Sequence, residues 1–290
     1  MPKEIFFTPA LDSTQLEAQR LLQETYLQRP AGVLFHVTTS HQTAGRGRFT
    51  RTWEDQPGTC SLTSTVVKLP NEALENAHWL TIVAALSVTE TVRDFFPSTQ
   101  TSLKLKWPND VLFQGAKLGG ILATVLSAND PDFTYVSLGV GVNLLQDVRD
   151  LPTAEATSLA AEQLTPLPSV ADFNERFLTV LTFNLERFAA ANWDGKIFQA
   201  AYQQLLTGLD QPVRVTHLRP EVLSENNQPQ LTDATDTYDA IFLGVSAQGW
   251  ALVRPLNQPG AVVEISSADI TFAPTQSLNT PVTPEAQEAK

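Results

Sequence analysis

Arg46, Arg48 and Arg51 fall within six residues of one another, in a chain that is otherwise acidic. They belong to the run His41-Gln42-Thr43-Ala44-Gly45-Arg46-Gly47-Arg48. The glycines flanking Arg46 permit unusual backbone angles and let main-chain N–H groups come close to an anion. Arginine adds a rigid fork of donors that suits carboxylate or phosphate. A solvated surface loop is the competing reading. Gly-Arg runs also occur in disordered nucleic-acid-binding tails, although those lack the strand-like segments that flank this one. A second cationic group follows at Lys104, Lys106 and Lys117. Within it, Lys106-Trp107-Pro108-Asn109-Asp110 places an amide and a carboxylate at a turn. Asp110 could there help hold Mg²⁺, which takes oxygen ligands and substrate phosphates. An ordinary turn around a buried tryptophan fits the same residues.

Two glycine pairs complete the set. Lys117-Leu118-Gly119-Gly120-Ile121-Leu122 puts glycines at the entrance of a buried strand, where a ligand or another backbone needs room. A lysine at such an edge otherwise serves solubility or edge protection. Gly139-Val140-Gly141-Val142-Asn143 is not a dinucleotide fingerprint, because the third glycine is missing and no strong helix follows. Lys117 is not a Walker lysine, since no Gly-x-x-x-x-Gly-Lys-Ser/Thr run exists.

These segments need elements to position them. The periodicity predicts a helix over 13–28, opened by a Thr14-x-x-Glu17 capping box, and a buried strand over 33–37. Residues 40–58 lack any period and read as a long loop, and 60–67 as β. Leu80, Val83, Ala84, Ser87, Val88, Val92 and Phe95 mark one face of a helix that Pro97 ends. Leu103, Leu105 and Trp107 alternate with lysines as in a strand, and strands follow at 111–113, 119–126 and 135–142. A loop over 147–168 leads to helices over 170–190 and 193–206. Short strands at 213–215, 238–245, 250–254 and 262–265 then read as a small β domain. The expected organisation is residues 1–208, then 209–273, then a disordered tail over 274–290 rich in Pro, Thr, Gln and Glu.

Composition narrows the class. The 290 residues carry a net charge of −12, which would repel nucleic acid from most of the surface. No apolar run is long enough to span a bilayer, and the N-terminus lacks a signal-peptide pattern. Cys60 is the only cysteine, which excludes an intrachain disulfide and a cysteine zinc cluster. A cytoplasmic enzyme acting on a small anion fits these features.

Taken together and in this order, the four motifs resemble the biotin–protein ligase family, from about Ser13 to Asn143. Ala156-Thr157-Ser158-Leu159, Phe242-Leu243-Gly244-Val245 and Glu264-Ile265-Ser266 are similar to later family segments. The resemblance implies an α+β fold: a catalytic domain with a mixed sheet, like that of class II aminoacyl-tRNA synthetases, followed by a small SH3-like β-barrel. It implies an ATP-dependent ligase that forms biotinyl-5'-AMP and transfers biotin to a lysine of a biotin carboxyl carrier protein. A lipoate or octanoate ligase or transferase of the related fold is the alternative. It further implies that Ser13, Thr14, Gln42, Gly45, Arg46, Gly47, Arg48, Lys117, Gly120 and Gly141 bind biotin. Lys117, Arg46 and Arg48 would carry the chemistry. Trp53, Asn109, Asp110, Asn143 and Ser158 would serve the nucleotide, with Asp110 a ligand for Mg²⁺. With the first helix beginning by Ser13, the expected form is monofunctional, without a preceding DNA-binding domain, binding no specific DNA and no membrane, as a monomer or homodimer. Gln15, Thr50 and Cys60 depart from the family pattern, where Asn, Gly and Asn are common.

Overall fold

The structure, a computed structural model, describes residues 4–49, 51–99, 101–217 and 236–272. Thr50 and the expected tail over 274–290 lie outside these residues. The described residues divide into two compact units. The first runs to Thr207 and also takes in Gly244–Ala251; the second holds the rest from Gly208 onward.

In the first unit the elements are β1 (Glu4–Thr8), α1 (Thr14–Leu21), α2 (Glu24–Leu27), β2 (Gly32–Thr39), β3 (Cys60–Pro70), α3 (His78–Phe95), β4 (Leu103–Lys106), β5 (Asp110–Phe113), β6 (Ala116–Leu126), β7 (Phe133–Asn143), α4 (Val170–Ala190) and α5 (Lys196–Leu205). Seven strands form one sheet in the order β1-β2-β3-β7-β6-β5-β4. β1 runs parallel to β2, and every other pairing is antiparallel, so the sheet is mixed. The alternation that predicted β4 holds, with Leu103 and Leu105 buried and Lys104 exposed.

Register places the chemistry-bearing residues. Leu62 pairs with Gly141, Gly141 with Gly120, Gly120 with Asp110, and Asp110 with Lys106. Directly paired residues project from the same face, so these five form one row across β3, β7, β6, β5 and β4. α1 lies on that face, where the side chain of Gln15 fills the space above Gly139. α4 covers the other face: the buried His36 of β2 is hydrogen-bonded between Thr65 of β3 and Thr182 of α4. α3 packs against both α4 and the sheet, which explains why residues on nearly all its sides are buried. No helix among the described residues is long and apolar enough to cross a membrane.

The expected helix over 13–28 is two helices, broken at Leu22 and Gln23, with Leu22 extended at ψ 97°. The reason is geometric. Ala18 and Leu27 both pack into the cluster of Tyr26, Phe35, Val37 and Val66. In one straight helix of 3.6 residues per turn they would face opposite sides. The break swings Leu27 back onto the core. β1 was not legible as a strand because its five residues are largely exposed and carry no alternation.

In the second unit the expected short strands appear as β8 (Pro212–His217), β9 (Asp236–Val245, its last two residues belonging to the first unit), β10 (Ala251–Pro255) and β11 (Val263–Ile265), together with an unexpected β12 (Asp269–Phe272). They form a five-stranded sheet in the order β11-β10-β9-β8-β12. Val213, Val215, Ala240, Phe242, Val253 and Ile270 supply its buried apolar side.

Candidate active site

The site starts at the N-terminus of α1. Ser13 is extended and its hydroxyl caps the helix by accepting from Gln15 N at 3.3 Å. Thr14 follows, buried, and its N–H donates to Gln42 Oε1 at 2.8 Å, with its hydroxyl 3.2 Å from the same oxygen. Ser64 of β3 donates to the Thr14 hydroxyl at 2.9 Å. Thr14, Gln42 and Ser64 therefore form one polar cluster on the α1 side of the sheet, and the fixed Gln42 oxygen determines how its amide group is presented.

The glycine-arginine segment carries no regular strand, as expected, but it is an irregular hairpin. Trp53 N donates to Gly45 O at 3.0 Å, Gly47 N donates to Arg51 O at 2.7 Å, and Arg46 bridges Thr52. Gly45 is required there, because a Cβ would sit 2.4 Å from the Trp53 carbonyl oxygen. At the base of the hairpin, Asp55 accepts from Gln42 N at 3.2 Å and lies 2.8 Å from His41 Nδ1, its own side chain wholly buried. Arg46 is exposed, and the Arg48 guanidinium lies 4.8 Å over the Phe49 ring. Burial and the nearby positive charge of Arg48 hold His78 below the usual histidine range.

The hairpin folds Trp53 onto the sheet. A Cβ on Gly141 would lie 2.6 Å from the indole, and one on Gly120 would lie 3.6 Å from it. The paired glycines form a flat platform with an aromatic roof. Lys117 borders it, its Nζ 3.5 Å from the position of a Gly120 Cβ. That ammonium pairs with Asp110 at 2.6 Å, the two side chains being 40% and 20% exposed. A pair so open to solvent contributes at most about 1 kcal/mol. The ammonium has three donors, so an incoming anion can share Lys117 with Asp110. Asn109 fixes the turn by donating to Ile121 O at 2.8 Å and accepting from Ile121 N at 2.9 Å.

Asn143 and Ser158 build the far wall. Asn143 donates to Thr157 O at 2.9 Å and accepts from Gln146 Nε2 at 3.0 Å. Ser158 donates to Gln146 O at 2.6 Å. Both side chains are buried and held by protein groups, so in this arrangement they shape the wall that a ligand would meet. Sequence reading missed Gln146 and Asp55, which lie in aperiodic loops and carry no pattern. Gln15 was visible only as a departure; it donates to Leu122 O at 2.6 Å and accepts from Thr124 at 2.9 Å. Its extra methylene relative to asparagine gives it the reach to β6.

Cys60 touches this wall. Gln146 Nε2 lies 2.8 Å from its sulfur, and burial pushes the thiol up to about 12. The thiolate is the reactive form. The folded protein is expected to show no thiol titre with a disulfide reagent at pH 8, and one equivalent on denaturation. Rapid labelling of the native protein would contradict this burial.

Residues 9–143 match the model of the Biotin/lipoate A/B protein ligase family. Over that span the chain is similar to members of this family. The segment runs from just before α1 to the last residue of β7, and so contains the platform, its roof and Lys117. The chain is 33% identical over 152 residues to the bifunctional ligase/repressor BirA of Bacillus subtilis, covering 52% of this chain and 44% of that protein. It is 38% identical over 123 residues to the biotin–[acetyl-CoA-carboxylase] ligase of Mycobacterium tuberculosis, covering 42% of this chain and 44% of that protein. The matches thus span less than half the length of these relatives. In three dimensions the fold is that of a biotin protein ligase from Aquifex aeolicus solved with biotin and ATP, with a TM-score of 0.66, 24% identity and coverage of 94% of this chain and 100% of that one. That similarity includes the α+β architecture with its mixed sheet and the C-terminal β unit.

Proposed function

We propose that this chain activates biotin with ATP to biotinyl-5'-AMP and transfers the biotinyl group to a lysine of a biotin carboxyl carrier protein. The observation that carries this reading is the roofed platform of Gly120 and Gly141 with Lys117 at its border. The flat floor that the glycines leave, covered here by the Trp53 indole, suits a neutral bicyclic ring that takes the indole's place, and a few placed polar groups give it orientation. The cluster of Thr14, Gln42 and Ser64 supplies hydrogen-bonding partners for a ureido group. The dithiolane ring of a lipoyl group has no such groups, which favours biotin over the lipoate branch of the same family. The Mycobacterium tuberculosis relative, a biotin–[acetyl-CoA-carboxylase] ligase, and the Aquifex aeolicus enzyme with biotin and ATP support the same substrates.

In the first step a biotin carboxylate oxygen attacks the α-phosphorus of ATP, a P–O bond forms, and pyrophosphate leaves. Two anions must approach, and cations placed where charge develops lower that barrier. Lys117 supplies the first, its ammonium having donors for the reacting oxygens beside the one held by Asp110; Arg46 and Arg48 in the hairpin supply the others. In the second step the acceptor's ε-amine attacks the acyl carbon and AMP leaves. The mixed anhydride hydrolyses readily, so a hairpin closed over it protects it. A protein-built metal cage does not fit here. Asp110 is engaged with Lys117, and no cluster of three metal-ligating side chains exists among the described residues.

The test is pyrophosphate release from ATP with biotin, lipoate or octanoate as the acid. Saturable release with biotin alone is expected; release with lipoate alone would move the protein to the other branch. Because Trp53 covers the platform, ligand entry requires the hairpin to open. The exposure of Arg46 and Phe49 favours such opening. Amide exchange across residues 42–53 is expected to slow by about tenfold or more when biotin and ATP are both present. Equal exchange with and without them would show a permanently closed roof and remove the gating step.

A further inference from the structure

The turn over 246–250 belongs to the first unit although it lies far along the chain from the rest of it. It is closed by Ser246 N on Trp250 O at 2.8 Å and Gly249 N on Ser246 O at 3.0 Å. Gly249 has φ +81°, a region that favours glycine, and a Cβ there would lie 3.0 Å from Ile82 Cδ1. Two buried indoles grip this turn. Trp79, in the first turn of α3, donates to Ala247 O at 2.8 Å, and Trp107 donates to Gly249 O at 3.0 Å. The grips are alike, but only Trp107 lies in the segment that carries Asp110.

We infer that Trp107 is a positioning residue: its hydrogen bond to Gly249 sets where the following turn holds Asp110, and through Asp110 where Lys117 stands. This rests on the adenylating role proposed for Lys117. β4 and β5 have four residues each and form the open end of the sheet, too short a ladder to be rigid on its own. External ties make up the difference. Thr207 N binds Leu105 O at 2.8 Å, Asn109 binds Ile121 on both its groups, and Trp107 binds the turn. The first two ties anchor the strand and the middle of the motif. Trp107 fixes the approach of the chain to Asp110, which is three residues on and 2.6 Å from the Lys117 ammonium. Misplacing a reacting group by an ångström costs on the order of a hundredfold in rate.

The test compares Trp107→Phe with Trp79→Phe in the full chain. Each removes one indole N–H from the same turn and a similar volume from a buried site. Biotin-dependent pyrophosphate release is measured well below each variant's Tm, with biotin affinity by calorimetry and hydrogen exchange of the ligand-free proteins alongside. Trp107→Phe is expected to lower kcat by about tenfold or more while biotin Kd changes less than about threefold. Exchange over 107–122 should quicken in this variant alone. Trp79→Phe should keep kcat within about threefold of the parent. Equal losses in the two variants, or none in Trp107→Phe, would overturn the inference and leave both tryptophans as packing residues. A parent protein that releases no pyrophosphate with biotin would instead refute the proposed activity. In that case the exchange comparison still decides the positioning role, since faster exchange in both variants or in neither would refute it.

Discussion

Lys117→Ala is expected to lower biotin-dependent pyrophosphate release by about a hundredfold or more, the cost of removing a group that stabilises developing charge. The fold should survive. The Lys117 side chain is 40% exposed, and its ion pair with Asp110 contributes little to stability. Removing the lysine leaves a carboxylate that is still partly open to water. Thermal unfolding should therefore shift by only a few degrees, while adenylate formation almost vanishes. Lys117→Arg gives a second reading, since a planar fork cannot replace a compact ammonium at the same distance from Asp110 and the platform. Near-normal release by a folded Lys117→Ala protein would dismiss this lysine from the chemistry.

The platform yields the other large effect. Gly141→Ala places a methyl group 2.6 Å from the Trp53 indole, closer than atoms can approach, and the rigid ring must move. Overpacking of this kind costs about 1–3 kcal/mol. The same methyl would stand in the space that biotin takes once the indole has moved, so biotin affinity is expected to fall by about tenfold to a hundredfold. Gly120→Ala is the built-in comparison, because its Cβ would meet Lys117 at 3.4 Å and Trp53 at 3.6 Å, ordinary contact distances. Its loss of affinity should be several times smaller. Calorimetry on both variants checks the order; a larger loss for Gly120→Ala would mean that the indole does not define the slot.

Much of this was legible from residues alone, and the limits have physical causes. Strong periods survived into the structure: α4 spans Val170–Ala190 as read, and the alternation around Lys104 and Lys106 marks β4. The helix over 13–28 failed because periodicity assumes a straight axis, whereas Leu27 needed a break to reach the core. β1 failed because parallel pairing with β2 is a long-range choice that five largely exposed residues do not encode. At the site, spacing found both glycine pairs, but only register revealed that Gly141, Gly120 and Asp110 stand in one row. Asp55 and Gln146 left no trace, since a lone acid or amide in an aperiodic loop gains meaning only from what it touches. Gln15 was visible as a departure, and its partners on β6 supply the reason.

Residues 244–251 fold with the first unit, and this bears on how such a gene can be cut or recombined. No single break in the reading frame separates the two units. A message ending after codon 207 would encode α3 and the Trp107 segment without the peptide that accepts their indole protons. Two buried donors without partners cost about 1–3 kcal/mol each, a substantial part of the roughly 5–15 kcal/mol that keeps a domain folded. Inheritance of the first unit is thereby tied to inheritance of a short stretch near the other end of the gene. An exchange of C-terminal modules between relatives would succeed only where the incoming segment brings a turn of the same shape.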